Sequence, residues 1–63
     1  MTYEELLDSC YDRFMLGSYW LTMEDAIFVV ENELEDSEDW YYCLEDTEFV
    51  ERLAAELLEA VSW

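Results

Sequence analysis

Apolar residues recur three and four positions apart along almost the whole chain, the period of a helix with one buried face rather than the alternation of a strand. Between Thr2 and Gly17 the stripe is Tyr3, Leu6, Leu7, Cys10, Tyr11, Phe14 and Met15. Thr2 with Glu5 three residues on carries the signature of a capping box, in which each side chain satisfies the other's backbone amide. The pattern predicts a first helix over residues 3–16, stopped by Gly17 in the left-handed conformation that glycine takes at little steric cost. Thr22 and Asp25 repeat the capping signal in weaker form. Met23, Ala26, Ile27, Val30 and Leu34 are then spaced to face inward from a second helix over residues 23–35.

Asp36 or Ser37 can cap a shorter third helix over Trp40 to Leu44, although so short a run leaves a strand open as an alternative. Asp46 or Thr47 caps a fourth, whose pairs Phe49/Val50, Leu53/Ala54 and Leu57/Leu58 lead to Val61 with the cleanest amphipathic spacing in the chain. With no proline and one glycine there is little to interrupt these elements. The expected architecture is all-α: one acidic helical domain over residues 1–63, a small compact bundle of three to four helices joined by short connections.

Length narrows the picture. A domain of about 60 residues buries only about 60% of the surface its unfolded chain exposes, which leaves a thin core and no room for a cofactor pocket. No cofactor is expected. Charge narrows it further: 18 Asp and Glu face two Arg, with no Lys and no His, for a formal net charge of −16. Disorder is the usual consequence of such acidity, but it goes with few aromatics and low hydrophobicity. Here 54% of residues are apolar and 17% aromatic, so the chain should fold. Nucleic acid and anionic membranes are excluded as direct partners, since both require a positive footprint.

Cys10 and Cys43, far apart and without a histidine, give no zinc or iron–sulfur spacing, and no metal site is expected. They read as buried, reduced thiols of a cytoplasmic protein. Met1-Thr2-Tyr3-Glu4-Glu5 lacks the basic and apolar regions of a signal peptide, and no apolar run approaches the roughly 20 residues that span a bilayer.

Outside the core stripes nearly every position is a carboxylate. Glu4, Asp8 and Asp12 form a line of like charges on successive turns of the first helix. Glu31, Glu33, Glu35, Asp36, Glu38, Asp39, Glu45, Asp46, Glu48 and Glu51 put ten carboxylates in 21 residues. Arg13 and Arg52 can neutralise only one or two neighbours. Solubility alone is served by mixed signs and a net charge of about 2–8 in magnitude, so −16 favours a functional anionic surface. Its partner should be basic, and the commonest basic grooves in a cell are those that hold nucleic acid. Carboxylates fixed on helices accept the same guanidinium fork that takes two phosphate oxygens.

In size, charge and helical patterning, and in the acidic-aromatic run Glu31-Asn32-Glu33-Leu34-Glu35-Asp36-Ser37-Glu38-Asp39-Trp40, the chain resembles the very small acidic DNA mimics encoded by phages. Among these it is most similar to the anti-CRISPR proteins that act on type I Cascade complexes, and within them to inhibitors of type I-C Cascade. The resemblance implies a phage protein working in the bacterial host cytoplasm. Its target would be the basic surface where the large Cascade subunit reads the duplex protospacer-adjacent motif, from which it would exclude DNA. Partner-binding residues are then expected in the dense segment: Glu31, Glu33, Glu35, Asp36, Glu38, Asp39, Glu45, Asp46 and Glu48.

Three rival readings compete with this one. Calcium binding has the oxygens in Glu33 to Asp39 but lacks the glycine and loop length of an EF-hand. Catalysis lacks a histidine, a lysine and a cleft in which paired carboxylates can be driven apart in pKa. An acidic adaptor for a basic target unrelated to nucleic acid is the alternative that remains, with Tyr19, Trp20, Tyr41 and Tyr42 as candidate exposed aromatics, although most aromatics are expected in the core. A monomer is expected, because two chains of this charge repel unless a face such as that near Trp63 pairs with its mate.

Overall fold

A computed structural model describes residues 1–62 and contains three α-helices and one 3₁₀ helix, with no strand among the described residues. Helix α1, Tyr3–Leu16, starts on the expected capping box: the Glu5 amide donates to Thr2 Oγ1 and the Thr2 amide to Glu5 Oε1, both at 3.2 Å. These donors at Thr2 hold the Glu5 carboxyl below its ordinary range. Gly17 ends the helix, but its backbone is extended (φ −95°, ψ 172°) and no described residue has a positive φ. The left-handed expectation is therefore corrected. What needs a glycine here is space: a Cβ would lie 2.6 Å from Tyr19 Cδ2, inside the ring's van der Waals envelope.

Helix α2, Met23–Asp36, begins where Thr22 Oγ1 accepts the Asp25 amide. The Asp25 carboxylate does not close a capping box; it turns outward to accept the Trp20 amide at 2.7 Å and ties down the incoming connection. Ala26, Val29, Val30 and Leu34 are buried, whereas Met23 is exposed and Ile27 half-buried. The inward face is thus turned toward Val29 and away from the residue expected to begin the stripe.

The short third element is the 3₁₀ helix Tyr41–Glu45, and Ser37 Oγ accepts the Trp40 amide just ahead of it. Only Cys43 of this turn is buried, consistent with the brief use such tight helices find. Helix α3, Thr47–Val61, is capped by Asp46, whose carboxylate accepts the Phe49 amide at 3.1 Å.

Every helix packs against the other two, around Leu6, Cys10 and Phe14 of α1, the four α2 residues, Cys43, and Val50, Leu53, Ala54 and Leu57 of α3. At one edge Trp40 stacks on Phe49 (centroids 5.6 Å apart), with Tyr3 edge-on to both, and the Tyr3 hydroxyl donates to the Glu56 carboxylate. Contrary to the expectation that most aromatics are core, Phe14 is the only fully buried one among the described residues, and Tyr11, Trp20, Phe28, Tyr41 and Tyr42 are exposed. Trp63, the suggested point of self-pairing, lies outside the described residues.

Both cysteines are free and buried, as expected. Burial pushes the Cys10 thiol from its ordinary 9.0 up to about 12. The Tyr3 phenol is pushed from 10.0 up to about 12, first by burial and then by the Glu56 carboxylate. Both acids are stabilised in their neutral forms by folding, so this contribution is complete below the lower, unfolded values and is lost as pH rises through the higher ones. The melting temperature is expected to fall between pH 9 and 12, and the fall should be shallower in Cys10→Ala. Circular dichroism melts that stay level across that window would contradict the burial of both groups.

Candidate partner-binding surface

Helix α2 carries the first part of the dense acidic segment, where the positions between its core residues leave Glu31 and Glu35 facing water. Glu31 and Glu35 stand one turn apart on its exposed side, and Glu38 follows just past its end. Glu35, Asp36 and Glu38 line one open hollow together with Ser37 and the exposed ring of Tyr41. Glu31 lines another, facing Glu51 across a floor of Ile27, Leu44 and Val50 with Thr47 at its side. Asp46 and Glu48 lie with Phe49 and Arg52 at a third, at the start of α3. Glu45 is exposed on the 3₁₀ helix and lines none of these hollows.

Four of the nine expected residues have work inside the molecule. Arg13 Nε donates to Glu33 at 2.7 Å and its Nη2 to Asp36 at 2.7 Å, clamping α1 to the end of α2. The guanidinium pKa is raised, chiefly by the hydrogen bond to Asp36. The Glu33 side chain is only 15% exposed, which withdraws it from the surface, whereas Asp36 at 67% still presents its carboxylate to solvent. Asp39 accepts from the Met1 ammonium at 2.7 Å and raises that amine's pKa, chiefly through the hydrogen bond itself. The Trp40 indole donates to the Met1 carbonyl beside it. Asp46 is the cap of α3.

Among the nine, the carboxylates left exposed without a partner inside the molecule are Glu31, Glu35, Glu38, Glu45 and Glu48, with Asp36 and Asp39 paired but still largely exposed. The aromatic that accompanies them is Tyr41, 59% exposed, and Tyr42 beside it is 71% exposed. Tyr19 is not available: it is half-buried against Phe14 and Phe28, with centroids 5.6 and 6.0 Å away.

Trp20 is exposed as expected, but sequence reasoning missed the apolar patch around it. Leu16 is 89%, Trp20 78% and Leu21 62% exposed, at and just after the end of α1, and Met15 and, on α2, Phe28 are also more than half exposed. The signal that could have found it is that Leu16 falls off the helical stripe and that Trp20-Leu21 sit between the breaker Gly17 and the cap Thr22.

Among the described residues no group of three or more histidine, cysteine or acidic side chains is placed to hold a metal ion, and no helix is long and apolar enough to cross a membrane. No protein-family model matches the chain, and comparison with curated proteins and with solved structures finds no relative.

Proposed function

We propose that this protein is a non-enzymatic inhibitor that imitates a short duplex and occupies the basic site where the large subunit of a type I Cascade complex reads the protospacer-adjacent motif. The observation that carries this reading is a match of charge to length. The longest extent of the bundle is 27 Å, and its net charge is −16. Duplex DNA carries one charge per about 1.7 Å of axis, hence about 16 over that length. The exposed carboxylates are held on helical turns, so a guanidinium or ammonium that normally grips phosphate meets an acceptor of similar charge at a fixed position. Open, acid-lined hollows rather than an enclosed cleft favour binding over catalysis. Type I-C is the subtype proposed, with the protein phage-encoded and acting as a monomer in the host cytoplasm.

The test is a mobility-shift assay with purified type I-C Cascade. Complex incubated with excess inhibitor is expected to lose its hold on a duplex bearing the motif while keeping its guide RNA, since an acidic protein has no means of displacing the guide. Undiminished duplex binding at saturating inhibitor would refute the proposal. It would leave the alternative, an acidic adaptor for another basic protein that does not bind nucleic acid.

A further inference from the structure

The exposed apolar patch has no counterpart on a duplex, whose outer surface is phosphate. Leu16, Trp20 and Leu21 contribute nothing to the core, yet they stand at 89%, 78% and 62% exposure. Their backbone is not slack. Gly17 donates to the Arg13 carbonyl, Trp20 donates to the Asp25 carboxylate at 2.7 Å, and Thr22 donates to the Trp20 carbonyl at 2.7 Å. Tyr19, in the same connection, packs between Phe14 and Phe28. Tryptophan is enriched among the side chains that carry interface energy, and a segment whose backbone is already tied down loses less conformational freedom when it is covered.

Charge decides what covers them. Residues 14–30 hold two carboxylates, Glu24 and Asp25, whereas residues 31–51 hold ten. The apolar patch nevertheless adjoins the acidic face: Leu16 follows Arg13 by three residues on α1, and Arg13 holds Glu33 and Asp36 near the end of α2. A second copy would bring another charge of −16 with it and set Asp12 and Glu24 against their like. A protein surface in which an apolar recess is rimmed by lysine or arginine would gain from those same carboxylates.

We infer that Leu16, Trp20 and Leu21 dock into an apolar recess bordering the basic groove of the protein that the acidic face occupies, within the 27 Å length of the molecule. This rests on the proposed function. It supplies what charge alone lacks: many basic grooves attract an acidic protein, and the apolar contact selects one of them.

The experiment compares wild type with Leu16→Ser/Trp20→Ser for binding to purified type I-C Cascade, over a series of salt concentrations. Trp20→Ala alone and Leu21→Ser serve as milder variants, and helical content is checked by circular dichroism. The double variant is expected to bind about thirtyfold or more weakly, as loss of an interface anchor does, with the salt slope unchanged because no charge was removed. Equal affinity of wild type and all three variants overturns the inference while leaving the charge-based reading standing. Wild type that fails to bind overturns both. A wild type that sediments as a dimer and a double variant that sediments as a monomer overturns the inference as well, since a second copy would then be the occupant.

Discussion

Replacing Glu31, Glu35 and Glu38 together by glutamine is expected to weaken binding to Cascade by about a hundredfold or more, as loss of several charge-assisted contacts in a desolvated interface does. The matched control replaces Glu4, Asp8 and Glu59 by their amides. It removes the same charge from exposed positions on α1 and α3. These outlying carboxylates act mainly at a distance, so the control is expected to slow association several-fold and leave dissociation almost unchanged. Glu33 and Asp39 are left out of the test set because Arg13 and the Met1 amine hold them, and changing them would disturb the fold as well as the surface. Helicity should be retained in both triple variants, since none of the six side chains caps a helix. Surface plasmon resonance separates the two rates. Equal losses from the two sets would mean that total charge, not the placement of carboxylates around Tyr41 and Leu44, determines recognition.

What the sequence made legible divides along a physical line. The starts of α1 and α3 were readable because a cap is a hydrogen bond between residues three apart, and the chemistry of Thr2, Glu5 and Asp46 is enough to place it. The rotation of α2 was legible in part: Ala26, Val30 and Leu34 are buried as expected, but Met23 is exposed and Val29 takes an inward place. Whether Met23 or Val29 faces inward depends on where α1 and α3 lie, and the apolar residues Met23, Ala26, Ile27, Phe28, Val29 and Val30 give that helix more than one acceptable face. Gly17 was recognised as a terminus but for the wrong reason, since the ring that excludes a side chain there is two residues on and its position follows from Phe14 and Phe28.

The acidic surface was visible as composition, but its division into free and engaged carboxylates was not. Arg13 finds Glu33 and Asp36 across 20 and 23 residues of chain, and Asp39 finds the N-terminal amine across 38. Such pairings are products of tertiary packing. Their effect is to fix the segment from Glu33 to Asp39 at both ends. Preorganised acceptors lose less freedom on binding than mobile ones, so the engaged carboxylates assist the free ones.

Raising salt from about 50 to about 200 mM is expected to favour this protein over the duplex it would displace. Duplex affinity falls with a slope of about −0.9 per phosphate neutralised, because condensed counterions return to solution, and a protein making 6–10 such contacts loses about 10³–10⁵ in affinity over that range. A bundle with a radius of gyration of 10.3 Å and charges spread around it condenses fewer counterions than a line of phosphates does, so its own slope should be shallower. The apolar patch adds a contribution that salt does not screen. On the proposed reading, the concentration of this protein needed to displace half of a labelled motif-bearing duplex from Cascade should therefore drop as salt rises, measured by fluorescence anisotropy at fixed duplex and complex. Competition for the same lysine and arginine side chains also requires that no species hold both. A ternary complex of Cascade, duplex and this protein at full occupancy would exclude displacement by shared contacts. It would place the acidic face on a surface other than the DNA groove.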